Sequence, residues 1–324
     1  MKILFLRGNG GDFVGAPRTY HGFEQAVGKI AGCRWAGRGW PLHRPNESMD
    51  MTVKRVMPDA DWVIDKDNGF KVPKNRGYRV GYMASDLHGK ASFKVGTPRG
   101  FVKLINSSPY DAVFLKYCEV HGVNCAPDIF LTDLKAKTLF LPWSVDPKEY
   151  YPREKTIDVA FLGTHGRRYP IRKSLWKGLP TFCGKHQLEL LMRSNPPGKT
   201  FKRYIPRLLD EGYFVGDRYR KALGGARIFV FGCSQFRYPL QKFFEVMASG
   251  ALVMSNAPAS ADKLHFKDGL NFVNISKDNW REKLLYYTTH REEAEEIAMR
   301  GRETVLKYHT HDVRANEFLE MLKW

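Results

Sequence analysis

The feature that most constrains this chain is an alternation that runs once, breaks, and starts again. In the first half, short apolar runs with β-branched or aromatic content predict strands at Ile3–Leu6, Asp61–Ile64, Arg79–Met83, Ala112–Leu115 and Thr138–Leu141. Each is bounded by charged or turn residues, and the segment between Thr19 and Ile30 suits an amphipathic helix. Strands alternating with helices imply a parallel sheet covered by helices. The turn Pro142-Trp143-Ser144-Val145-Asp146-Pro147 closes this half, and the polar, proline-containing stretch Tyr150–Lys155 reads as a linker. The pattern then resumes with strands at Ile157–Leu162, Thr181–Cys183, Arg227–Phe231, Leu252–Ser255 and Phe272–Asn274. A helix over Leu240–Ser249 is stopped by Gly250, and the chain is helical from Asn279 onward. Acids at Glu292, Glu293, Glu295 and Glu296 open one of these helices, as the helix dipole favours, and Asp312–Lys323 is a last amphipathic helix.

The expected fold class is therefore α/β, with two Rossmann-like, doubly wound domains facing a central cleft. Ligands in such sheets bind at the carboxyl ends of the strands. The expected boundaries are 1–148 for an N-terminal domain, 149–310 for a second domain, and 311–324 for a C-terminal helix packing back on the first. A length of 324 residues suits two domains of roughly 100–200 residues each. A hydrophobic content of 43% argues against disorder. No apolar run approaches the roughly 18–20 residues that cross a bilayer, and Met1–Leu6 carries no signal-peptide pattern, so a cytoplasmic protein is expected, in a host cytoplasm if the source is a phage. The five cysteines, Cys33, Cys118, Cys125, Cys183 and Cys233, are scattered and never form a C-x-x-C pair, which speaks against a disulfide framework or a zinc site.

The net charge of +18 favours an anionic partner. It is concentrated: from Phe161 to Leu209 there are eleven Lys or Arg and one acid, Glu189. Within that stretch, the strand ending in Gly163-Thr164-His165-Gly166 leads to a helix starting near Pro170. Free backbone N–H groups at such a start attract anions. Arg172 and Lys173 sit in its first turn, where the dipole disfavours cations, and a bound pyrophosphate would justify that placement. A second anomaly is Glu245, alone among Phe243, Phe244, Val246 and Met247. A carboxylate in apolar company needs a partner, and two readings stand open: capping or pairing with Lys242, or accepting hydrogen bonds from two vicinal ribose hydroxyls. After the first strand, Gly10, Gly11 and Asp12 form a glycine-rich loop suited to line the cleft, although the spacing is not a dinucleotide fingerprint. Asp86 and His88, delivered by the strand Arg79–Met83, are candidates for a catalytic base that takes a hydroxyl proton. Trp143 and Asp146 are further candidates to face the cleft. Asp65 and Asp67 form a D-x-D pair, read as surface turn residues rather than as metal ligands.

Three motifs in order carry a resemblance. Lys242-Phe243-Phe244-Glu245, then Gly269-Leu270-Asn271-Phe272-Val273, then Gly301-Arg302 through His309-Thr310 resemble the spore-maturation (CgeB-like) branch of the group 1 glycosyltransferases, as does the turn Phe140–Pro147. The resemblance covers about Leu139 to the C-terminus. It implies a GT-B fold, a nucleotide sugar held by the C-terminal domain, a donor ribose on Glu245, and a diphosphate neutralised by Arg172 and Lys173 with Arg237 or Lys242. It also implies no tightly bound cofactor and no required metal, with a UDP-sugar as co-substrate. Many members of that group carry a second acid eight residues before the glutamate; here Arg237 stands there. His309 and His311 match the closing signature but, at a helix start, suit a structural role. Glu245-Val246-Met247-Ala248-Ser249 is also reminiscent of phage DNA glucosyltransferases, which are basic GT-B proteins. The expected function is sugar transfer to a hydroxyl acceptor that is itself anionic: DNA, a polysaccharide or a lipid-linked precursor. A non-catalytic nucleic-acid-binding protein on the same scaffold is the rival reading.

Overall fold

The computed structural model describes residues 1–9, 16–66, 70–84, 98–117, 133–196 and 205–324. The described residues up to Pro142, together with Ala315–Trp324, form one compact unit, and Trp143–Arg314 form the other.

In the first unit the order is β1 (Lys2–Leu6), α1 (Ala16–Gly28), β2 (Gly32–Ala36), α2 (Met49–Val56), β3 (Trp62–Asp65), β4 (Arg79–Met83), α3 (Pro98–Asn106), β5 (Ala112–Leu115) and β6 (Lys137–Phe140). The strands form one parallel sheet in the order β2-β1-β3-β4-β5-β6. Leu6 lies beside both Ala36 and Asp65 in this register. The central strands read as unbroken apolar runs because both faces are covered: Ile3 to Leu6, Trp62 to Ile64 and Ala112 to Leu115 are all buried. Helix α2 is set by its own sequence. The Ser48 side chain accepts from the Met51 amide at 3.2 Å, and Met49, Thr52, Val53 and Val56 bury one face at i, i+3, i+4 and i+7.

Within β4, Gly81 leaves room for an aromatic ring. A Cβ there would stand 2.6 Å from Phe114 Cε2 and 3.2 Å from Ile64 Cδ1. Phe114 in turn packs on Phe318, with ring centroids 5.0 Å apart, and Phe318 also contacts Phe5 and Phe23. Gly81→Ala is expected to lower stability by about 1–3 kcal/mol through overpacking; chemical denaturation measures it, and an unchanged midpoint would refute the close-approach argument. The Trp62 indole donates to the Leu322 carbonyl at 3.2 Å, which ties the C-terminal segment to β3.

The second unit contains β7 (Ile157–Leu162), α4 (Pro170–Lys185), β8 (Leu190–Arg193), α5 (Ile205–Asp210), α6 (Gly216–Gly225), β9 (Ala226–Val230), α7 (Gln241–Ala248), β10 (Leu252–Ser255), β11 (Val273–Asn274), α8 (Trp280–Thr289) and α9 (Arg291–Tyr308). A last helix, α10 (His311–Met321), follows. The sheet is again parallel, in the order β11-β10-β9-β7-β8. Its core joins Val159, Phe161, Leu175, Leu179, Trp280 and Ile297. The segment Thr181–Cys183 is not a strand; it lies inside α4, which continues through Pro180. Ile171, Leu175, Leu179 and Phe182 repeat at helical spacing and are all buried, so packing of that face outweighs the proline and the short apolar run. At the amino edge of this sheet the Lys155 ammonium donates to the carbonyls of Gly224, Ala226 and Gly250 at 2.9, 2.8 and 2.8 Å. It thereby caps the carboxyl ends of both α6 and α7.

Both units are Rossmann-like parallel α/β sheets. Cys33, Cys183 and Cys233 carry free thiols, and Cys118 and Cys125 lie outside the described residues. Among the described residues, no helix is long and apolar enough to cross a membrane.

Candidate functional site

In the second unit the chain passes from β7 outward to β8, then returns to place β9 on the other side of β7. The carboxyl ends of β7 and β9 therefore mark the switch point where doubly wound sheets open a crevice. β7 ends at Leu162, and Gly163 follows with φ of 153°, a region that favours glycine. Helix α4 begins at Pro170, and its first turn places Arg172 beside this corner. The buried Arg172 guanidinium donates from Nε to the Gly232 carbonyl at 2.6 Å and from Nη1 to the Thr164 carbonyl at 3.1 Å, bridging the loops after β9 and β7. It lies over the Tyr169 ring, 4.1 Å from the centroid.

Lys242 reaches the same corner from the first turn of α7. Its ammonium donates to the Leu162 carbonyl at 2.6 Å and to the Tyr219 hydroxyl at 3.3 Å. A Cβ on Gly163 would stand 3.6 Å from Arg172 Nη1 and 3.8 Å from Lys242 Nζ. The bare glycine is thus the point from which an anion could touch both cations. Neither Arg172 nor Lys242 forms an ion pair among the described residues. Burial, and then repulsion from Arg172, pull the Lys242 ammonium down to about 7, with Glu245 opposing.

Glu245 lies about one helical turn further along α7. One carboxylate oxygen accepts from the Tyr219 hydroxyl at 2.8 Å and the other from the Tyr150 hydroxyl at 3.2 Å. Burial raises its pKa, against the pull of Lys242 and the two hydroxyls, and both phenols are themselves pushed well up by burial and by the Glu245 charge. A carboxylate offers about four lone-pair sites, so two tyrosines orient the group without filling it. The open alternative of pairing with Lys242 resolves differently from a direct contact: the Tyr219 hydroxyl stands between the two side chains.

The structure thus brings together Gly163, Thr164, Arg172, Lys242 and Glu245. Two expected members stand apart. Lys173 is exposed on α4 and makes no side-chain contact with the group. Arg237, with φ of 52°, is exposed and donates from Nε and Nη2 to the Ala257 carbonyl at 3.2 Å each. Asp86, His88, Gly10, Gly11 and Asp12 lie outside the described residues. Tyr150 and Tyr219 escape sequence reasoning because they lie 95 and 26 residues from the carboxylate they hold. His309 is structural: its Nε2 faces the Leu264 carbonyl at 2.9 Å and its Nδ1 faces Arg314 at 2.7 Å, while burial and the arginine push its pKa down to about 3. Asp146 accepts from the Lys148 amide at 2.8 Å within its own turn, and His311 Nδ1 lies 2.9 Å from the Ser144 hydroxyl.

The first unit gathers charge at its own carboxyl edge. Arg7, Lys66 and Lys116 follow directly on β1, β3 and β5 and are all buried. Arg7 Nε lies 3.1 Å from Glu24 Oε2, which also accepts from the Trp35 indole at 2.9 Å. Burial lifts the Glu24 carboxyl to about 7, against Arg7 and, more weakly, Lys66 and Lys116. Asp65 is not a surface turn residue: it is buried as the last residue of β3 and accepts from the Tyr110 hydroxyl at 2.8 Å, while Asp67 lies outside the described residues.

Comparison with known proteins places these corners in context. No curated protein sequence matches this chain. Residues 188–320, less than half of the chain, match a family model described as "Glycosyl transferase-like". Among solved structures, a sucrose-phosphate synthase from Thermosynechococcus elongatus superposes with a TM-score of 0.69 at 13% identity, covering 99% of this chain and 98% of that one. A glycosyltransferase from Rickettsia africae gives 0.65 at 12% identity, covering 99% and 97%. Anabaena HepE in complex with UDP-glucose gives 0.62 at 11% identity, covering 99% of each chain. The two parallel-sheet, Rossmann-like units are those of the GT-B glycosyltransferase structures, and that is the fold of this chain.

Proposed function

We propose that this chain transfers a sugar from a nucleotide donor to a hydroxyl acceptor. The observation that carries this reading is the meeting of two cations, the buried Arg172 and the partly buried Lys242, at the bare Gly163 corner, with the Glu245 carboxylate about one turn away. In the proposed complex the donor diphosphate lies against Arg172 and Lys242, and the ribose diol donates to the Glu245 lone pairs that the tyrosines leave open. The bond from the sugar's anomeric carbon to the diphosphate oxygen breaks as the acceptor oxygen bonds to that carbon. The cations stabilise the charge left on the diphosphate, with no metal required, and Asp86 or His88 takes the acceptor's proton. A UDP-sugar is the favoured donor, in keeping with the UDP-glucose held by the HepE structure. The order of motifs supports placement near the spore-maturation branch. The net charge of +18, and the cations at the carboxyl edge of the first unit, favour an anionic acceptor.

Thermal stabilisation by UDP-, GDP-, dTDP- and ADP-sugars tests the donor half of the proposal. At least one is expected to raise the melting temperature. Glu245→Ala is expected to weaken that ligand about tenfold or more, corresponding to about 1.4 kcal/mol. A dTDP-sugar, lacking the 2′-hydroxyl, is expected to bind the native chain less well than the matching UDP-sugar. If no nucleotide sugar stabilises the chain, or the variant binds equally well, the reading fails.

Lys242 adds a pH signature. Its ammonium is half deprotonated near pH 7 in the free site, and a bound diphosphate would favour the protonated form. Donor binding at pH 8 is therefore expected to take up protons, and affinity to fall as pH rises through 7. Calorimetry in buffers of different ionisation enthalpy measures this; a binding enthalpy independent of buffer would remove Lys242 from the phosphate contact.

A further inference from the structure

The second unit holds a cavity of about 380 Å³ at the opposite edge of its sheet, around the amino ends of β7 and β9. The six residues of β7 separate it from the Gly163 corner by roughly 20 Å. Its apolar walls come from Ile228 on β9, Tyr287 on α8, and Ala294 and Ala298 on α9. Four cations, Lys155, Arg227, Arg291 and Arg302, line it against two carboxylates, Asp158 and Glu295, so two positive charges (4 − 2) are uncompensated. Arg227 is engaged by both acids, at 3.7 Å from Asp158 and 3.2 Å from Glu295. Arg291 is 58% exposed and approaches Asp158 only to 3.9 Å. Arg302 donates from Nε to the Ala248 carbonyl at 3.2 Å.

An apolar chamber near the small end of the range for ligand sites, with a cationic surplus at its mouth, matches one ligand chemistry. We propose that this cavity binds a small amphipathic organic anion, with its aromatic or aliphatic body against Ala294 and Ala298 and its carboxylate, sulfonate or phosphate on Arg291 and Arg302. Apolar burial supplies the attraction and the guanidinium pair selects the charge. The site is separate from the donor corner and does not depend on the activity proposed above. It borders the donor side at two residues: Arg302 holds the last carbonyl of α7, the helix that carries Lys242 and Glu245, and Lys155 caps α6 and α7.

Titration of the full chain with 8-anilinonaphthalene-1-sulfonate, read by fluorescence, tests this. Saturable binding of one equivalent is expected, unaffected by excess UDP. The uncharged analogue N-phenyl-1-naphthylamine is expected to bind at least tenfold more weakly. Ala298→Phe, which fills the chamber, is expected to abolish binding. Because Ala298 is buried and that variant can fail to fold, Arg291→Glu on the exposed rim gives an independent reading: fivefold or greater loss for the sulfonate, with no change for the uncharged analogue. No saturable dye binding, native-like sulfonate binding by Arg291→Glu or by a folded Ala298→Phe chain, or displacement of the dye by UDP, would overturn the proposal.

Discussion

In the proposed sugar transfer, Arg172→Ala is expected to reduce kcat/KM by about 100- to 1,000-fold, a loss of about 2.7–4 kcal/mol of transition-state stabilisation. The magnitude follows from placement. The guanidinium is buried and fixed by the Gly232 and Thr164 carbonyls and by the Tyr169 ring, so it would need no reorganisation as negative charge grows on the proposed diphosphate leaving group. Arg172→Lys keeps the charge but loses the bridge between the two loops, and is expected to recover only a small part of the rate. The same substitutions remove a structural tie, so activity must be compared at a temperature where circular dichroism shows native structure. A well-folded Arg172→Ala chain with kcat/KM within threefold of native would exclude this arginine from the reaction.

The largest stability effect is expected at Lys155. Replacing it with methionine keeps most of the aliphatic stem and removes the donor to three carbonyls at the ends of α6 and α7. A carbonyl left unsatisfied costs about 1–3 kcal/mol, and two helix dipoles lose their countercharge. Against this stands the cost of holding a cation away from water: burial, and then repulsion from Arg227, bring the Lys155 ammonium down to about 8, so it remains mainly protonated at neutral pH. Three short charge-assisted bonds outweigh that cost, and a net loss of about 3 kcal/mol is expected. For a unit of this size that corresponds to a melting-temperature drop of about 6–12 °C. Calorimetry would reveal it, and a drop under 2 °C would mean that water satisfies those carbonyls.

The fold was legible because its central strands are chemically unmistakable. Ile3–Leu6, Ala112–Leu115 and Val159–Leu162 are apolar on both faces, as buried parallel strands must be. The edges were not. Gly32–Ala36 includes glycine and arginine, and Leu190–Arg193 is only partly buried, so neither stands out from a loop. The corner at Gly163 was readable wherever a residue violated a local rule: a cation in the first turn of α4, and a lone acid in an apolar helix. Tyr150 and Tyr219 violate none. A tyrosine in a polar linker and another on an amphipathic helix are unremarkable until the fold sets their hydroxyls on the same carboxylate. Arg237 stands where the motif suggests a ligand contact, and here its side chain bonds to the Ala257 carbonyl, a contact the sequence alone does not show.

Tyr219 rides on α6 and Glu245 on α7, and the tails of both helices rest on one ammonium at the far end of the sheet. The helices that set the phenol and the carboxylate side by side are thus tied together by a residue about a strand's length from both. If Glu245 holds the donor as proposed, drift at that remote position would be felt by selection as a change in nucleotide preference, and retuning donor specificity would have a lever there as well as in the crevice.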